Sequence, residues 1–172
     1  VSCEAGVPSP LSITATDNCS LNVTVELQED TINVAQGPCG NYSYTIVRTR
    51  TAVDDCGNVT VHVRNITVVD TTAPSFPGLQ DTLKVYSANS APNTNCTVPV
   101  NFAVTPFDCS TTAEMLITND APFGDGSMDI SGNYPVGTYK IFFSAVDACG
   151  NTGVDSLVLE VIDNSIPTVV CN

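Results

Sequence analysis

The string TAVDDCGNVTV at residues 51–61 returns as SAVDACGNTGV at residues 144–154. A repeat that keeps an acid, a cysteine and a Gly-Asn pair in fixed order implies one supersecondary unit built twice. The echo extends outward. TATDNCS (14–20) matches VTPFDCS (104–110), and VVDTTAPSF (68–76) matches VIDNSIPTV (161–169). We therefore expect two tandem units, residues 1–70 and 71–165, with residues 166–172 opening a further repeat. Because the first residue is Val, the chain is expected to be a mature or excised segment of something longer.

Within each unit the apolar residues alternate. In GTYKIFFSAVDA, residues Tyr139, Ile141, Phe143 and Ala145 fall on one face and Lys140 and Ser144 on the other; Leu157, Leu159 and Val161 share a face in DSLVLEVID. Prolines and Gly-Asn pairs interrupt the pattern about every 8–15 residues, and no long window has helical period. The expected fold is all-β: two immunoglobulin-like β-sandwiches with Greek-key connections. The repeated motif then has a local explanation. Gly57 and Gly150 supply the positive φ of a hairpin turn, and Asp54 and Asp147 accept hydrogen bonds from the turn's N–H groups.

Eight cysteines without a C-x-x-C pair, beside a single histidine, fit disulfides better than zinc. Disulfides imply an oxidising, extracellular compartment. Strand direction brings Cys19 to Cys56 and Cys109 to Cys149 at the end of each unit that carries the turn. Cys3 then meets Cys39, and Cys96 is left with Cys171.

Eighteen acidic residues against five basic ones give a net charge of −13. Such a chain repels nucleic acid and anionic lipid. No stretch approaches the ~20 apolar residues of a membrane span, so this segment is not expected to insert in a membrane. No signal-peptide pattern opens the chain.

SGNYPVGTYKIFFSAVDACGN (131–151) and IPTVVCN (166–172) resemble hyalin-type (HYR) repeats, and residues 1–20 with 39–58 are similar to the immunoglobulin-like repeats of Bacteroidota surface adhesins. The resemblance covers nearly the whole chain and implies an extracellular, multi-repeat, non-enzymatic role in adhesion or surface filaments. The first unit departs from the pattern. Arg48 and Arg50 stand where the second unit has Ile141 and Phe143. Guanidinium groups on a core face are costly unless paired or snorkelling, so either acids such as Glu26 or Glu29 meet them or that face lies at an edge.

Calcium is the sharpest ligand candidate, since it takes six to eight oxygens from carboxylates and carbonyls. In a head-to-tail chain Asp70 would lie near Asp108, Asp147 and Asn151, while Asp17, Asp54 and Asp55 would face a preceding unit. The competing reading is that these acids cap turns. FGDGSMD (123–129) matches no calcium loop and reads as a plain loop. His62, in TVHVRN, reads as a surface residue. No nucleophile elbow surrounds a serine, and cysteines held in disulfides are not nucleophiles, so no catalytic residues are assigned. Of the sequons at Asn18, Asn22, Asn41, Asn58, Asn65 and Asn95, the candidates for glycans are Asn22, Asn41 and Asn65, if the source is eukaryotic.

The expected function is structural: a disulfide-stapled, extracellular spacer of a cell-surface protein, contacting neighbouring repeats or copies of itself in a filament. The alternative is a glycan-binding or accessory module of a secreted hydrolase; the absence of Trp and the presence of only five Tyr leave little for sugar stacking.

Overall fold

The computed structural model describes residues 7–87 and 96–167, and these form two compact units, Val1–Thr72 and Ala73–Asn172. Structure is almost entirely β. The only helical pieces among the described residues are two 3-10 turns, Gly37–Asn41 and Thr112–Glu114. None is long and apolar enough to cross a membrane.

In the first unit, β1 (Val23–Asn33), β2 (Tyr44–Asp54) and β3 (Val59–Val68) form one antiparallel sheet in the order β1-β2-β3. A second sheet, which the sandwich expectation required, is not present among the described residues of this unit. The register decides the arginine question. Side chains alternate faces along a strand, and Arg48 lies directly opposite Glu29 while Glu26 lies opposite Thr51 on the other face. Arg48 is accordingly ion-paired with Glu29 and is only 3% exposed. Arg50, 8% exposed, donates from Nη2 to the Leu11 carbonyl at 3.2 Å. Both guanidiniums are buried with partners, and Glu26 is not one of them.

The second unit is an immunoglobulin-like two-layer β-sandwich. One sheet runs β4-β9-β8-β6, from strands β4 (Thr82–Tyr86), β6 (Leu116–Asn119), β8 (Gly137–Val146) and β9 (Thr152–Ile162); the other pairs β5 (Thr97–Val100) with β7 (Gly132–Pro135). β4 joins β9 in parallel, and β8 and β9 are antiparallel neighbours. Period two is realised as drawn from the sequence. Ile141, Phe143 and Ala145 of β8 and Leu157, Leu159 and Val161 of β9 are buried, whereas Lys140 points to solvent. Val98 and Val100 from β5, Tyr134 from β7, and Phe76, Val104 and Ile130 complete the core. The Tyr134 hydroxyl, buried with its ring, donates to the Ile130 carbonyl at 2.7 Å, which satisfies the one polar atom that ring carries inside.

Candidate functional site: the duplicated acid turn

Each unit folds its Asp-x-Cys-Gly-Asn string into the same turn. In the first, Asp54 N donates to Asn58 O at 3.1 Å and Gly57 N to Asp54 O at 3.1 Å. In the second, Asp147 N donates to Asn151 O at 3.0 Å and Gly150 N to Asp147 O at 3.2 Å. The glycines carry φ of +84° and +88°, a left-handed backbone that a β-carbon would strain.

The carboxylates close these turns. Asp147 Oδ1 accepts from Cys149 N and Asn151 N, both at 2.8 Å, and Oδ2 accepts from Asn151 Nδ2 at 2.7 Å. Asp54 does the same with Cys56 N (2.9 Å), Asn58 N (2.7 Å) and Asn58 Nδ2 (2.7 Å). The Asn58 side chain and backbone hold the Asp54 carboxyl below its ordinary pKa, because these hydrogen bonds favour the charged form. Asp147 is 6% exposed. Of the two roles weighed for these acids, turn capping is what the geometry displays.

A second pair of loops is docked against the turns. Ser20 Oγ accepts from Asp55 N at 3.0 Å, and Ser110 Oγ accepts from Ala148 N at 3.3 Å. The carboxylate steering each serine occupies a different place in the two repeats. Asp17 Oδ1 receives Cys19 N and Ser20 N, each at 2.8 Å, whereas Asp108 Oδ2 receives Ser110 N at 3.1 Å. The Asp17 carboxyl is lowered by the Cys19 and Ser20 backbone bonds. Asp108 Oδ1 is buried and has no hydrogen-bond partner. The Ser that follows each of these cysteines was legible in the repeat, though its role as the loop clasp was not.

The other candidate ligands divide between the units. Asp70 belongs to the first, where its N–H donates to Ser43 Oγ at 3.0 Å and its Oδ1 accepts from Thr72 N at 3.1 Å. Asp108, Asp147 and Asn151 belong to the second. Asp55, on the first turn, accepts from Asn22 Nδ2 at 3.4 Å. The 123–129 loop caps itself: Asp125 Oδ1 accepts from Ser127 N and Ser127 Oγ, both at 2.8 Å, and Asp129 Oδ1 from Ser131 N at 2.7 Å. His62 is exposed on β3, and Asn22, Asn41 and Asn65 are exposed.

Three cysteines, Cys19, Cys56 and Cys96, depart from the expected pairing. Cys39, Cys109 and Cys149 are disulfide-bonded. Cys19, Cys56 and Cys96 are exposed free thiols. The Cys19–Cys56 bridge is therefore absent, and residues 12–17, whose expected strand was to bring Cys19 to the turn, form no strand. The loops meet through Ser20 and Asn22 on Asp55, and a disulfide demands a narrower separation and torsion than a hydrogen bond does. Cys96, with φ of +49° just before β5, is likewise unbridged; Cys3 and Cys171, and with them the sequon at Asn95, lie outside the described residues.

No protein-family model matches the chain. An uncharacterized 81.3 kDa protein of Acholeplasma phage L2 is 26% identical over 155 residues, covering 88% of this chain and 19% of the phage protein. The chain thus spans about a fifth of the length of the curated protein it matches. Among solved structures, human mucin-like protocadherin EC1-2 is similar with a TM-score of 0.42 and 14% identity, over 82% of this chain and 84% of that one. The extracellular cadherin domains 1–4 of protocadherin gamma B7 give 0.41 and 13%, over 83% of this chain and 42% of that one.

Proposed function

We propose that this chain is a structural segment of a larger extracellular surface protein, built from tandem β units of the hyalin-type class and acting as a spacer or as a unit that packs with copies of itself. The observation that carries this reading is the duplicated acid turn. Asp54 and Asp147, the acids of the repeated turn, are engaged on both oxygens in closing it, so the turn serves shape rather than turnover. Disulfides at Cys39, Cys109 and Cys149 fit an oxidising compartment. Packing between copies is supported by β3, whose Val59, Val61 and Val63 share one face and are 59%, 55% and 54% exposed.

Sedimentation velocity over a concentration series tests the assembly. Association is expected, and Val61→Lys, at the centre of that row, should abolish it. A chain that stays monomeric at every concentration rejects assembly and leaves only a spacer. Pulling the segment at constant speed in an optical trap tests the spacer itself, with two separate unfolding events expected and a featureless extension refuting it.

Calcium is a second reading, favoured by one observation: a buried Asp108 carboxylate oxygen with no donor is what a cation ligand presents before binding. Within the same unit, Asp147 and Asn151 are the further candidates, of which Asp147 is already engaged on both oxygens. Melting with excess calcium and with EDTA decides it, since a bound ion raises the melting temperature by mass action. An unchanged midpoint dismisses calcium.

A further inference from the structure

After each repeated turn comes a strand, β3 in the first unit and β9 in the second. Val53 faces Val59 across one turn as Val146 faces Thr152 across the other, so the two strands correspond position by position. Arg64 answers to Leu157, and residues 65–69 answer to 158–162. Their outer edges differ. Backbone groups of an antiparallel strand alternate between its two sides, and the bond from Asp54 N to Asn58 O sets the phase, so Asn65, Thr67 and Val69 turn their N–H and C=O groups away from β2. In the second unit the matching groups are taken by the parallel strand β4, with Val158 N donating to Asp81 O and Ser87 N to Ile162 O, both at 2.9 Å. Leu83 and Val85 of β4 pack on the core. In the first unit β3 ends the sheet, residues 7–22 form no strand, and no described residue pairs with its outer edge. Asn65, Thr67 and Val69 are exposed there.

We propose that the 65–69 edge is an acceptor site for a parallel β-strand of a partner chain, one that carries an acid followed by apolar residues at alternate positions. The pattern follows from what such a strand must face. In the register of β4, Leu83 and Val85 stand beside Leu159 and Val161. The counterparts of those two, Ile66 and Val68, are buried, so apolar side chains are required at the same places. Before the first of them, the added strand passes Arg64, which is exposed and has no ion pair among the described residues. A carboxylate opposite Arg64 is a favourable cross-strand pair. Asp81 holds that place in the sequence of the second unit's own strand, where it lies beside Leu157. Main-chain hydrogen bonds supply the affinity, and the alternate side chains supply the selectivity.

The probe is a synthetic peptide of residues 80–87, QDTLKVYS, titrated into the intact chain labelled with nitrogen-15. Saturable shifts of the Asn65, Thr67 and Val69 amides are expected, with slower solvent exchange of the same N–H groups. Thr67→Pro removes an outward N–H while sparing the ladder to β2, and should abolish binding. Arg64→Glu should weaken binding about fivefold, and the Asp81→Lys peptide should restore it. Absence of saturable shifts, equal binding of a scrambled peptide, or an Arg64→Glu chain that takes both peptides as the parent does overturns the proposal. Shifts confined to residues 158–162 would mean that the peptide merely displaces β4. Protection of the 65–69 amides on concentrating the chain alone would give the edge to a second copy. Either result also overturns it.

Discussion

A β-carbon placed on Gly153 would stand 1.8 Å from the Pro74 carbonyl oxygen. The backbone of β9 and the segment entering the second unit approach so closely that only a hydrogen fits between them. Next to it, Ser75 and Phe107 exchange backbone hydrogen bonds of 2.9 and 2.8 Å, so this segment is held on both sides. Gly153→Ala must displace backbone rather than a flexible side-chain end. A loss of about 3 kcal/mol is expected, at the upper end of what overpacking costs, and urea denaturation measures it. A stability within error of the parent would mean that the segment moves aside freely.

The acid turns should differ in what they contribute. Asp147→Ala strips two backbone N–H groups and an amide of their acceptor in a buried setting, and a loss of about 1–3 kcal/mol follows. Asp54→Ala removes the same bonds at a solvent-exposed turn, where water replaces the acceptor, so its denaturation midpoint should shift less. Equal shifts for the two variants would contradict this ordering.

The Arg48–Glu29 pair is a case for a double-mutant cycle. Glu29→Ala leaves a guanidinium buried with its partner gone, but the Glu29 side chain is 39% exposed and water screens part of the interaction. About 1–2 kcal/mol is expected for the single change, below the 3–5 kcal/mol of a fully buried pair. Adding Arg48→Met to Glu29→Ala should recover most of the loss, because no buried charge is then left unpaired. Additive losses in equilibrium unfolding would show that the two residues act independently.

Asp163 provides a titration with a defined sign. Its carboxyl is lowered to about 2 from 3.8 by the Ser165 hydroxyl, then the Ser87 hydroxyl and the Ser165 N–H. A carboxyl depressed in the fold contributes stability above its unfolded value, and that contribution fades as pH falls from 3.8 through about 2. Ser87→Ala should raise the Asp163 midpoint toward 3.8 when followed by carboxyl carbon chemical shifts. A midpoint unmoved by the substitution would assign the depression to Ser165 alone.

Much of the β architecture was legible because its signals are local. Alternation in β8 and β9 places Ile141, Phe143, Leu157 and Leu159 inside whatever the sheets pair with, since successive side chains must point to opposite faces. The turn was legible too. Asp, Gly and Asn at fixed spacing specify a backbone with one positive φ and an acceptor for its free N–H groups, and both copies obey.

What the sequence determined by itself was therefore the strand period, the turn chemistry and the duplication, all set by interactions within a few residues. Tertiary structure alone decided that Glu29 rather than Glu26 meets Arg48, because a cross-strand partner is fixed by register and a shift of one residue reverses every face. It also decided that Ser20, not Cys19, makes the contact to the 54–58 turn, and that Pro74 requires a glycine at 153. Such choices rest on separations of about an ångström between distant segments, a distance that spacing along a chain does not encode.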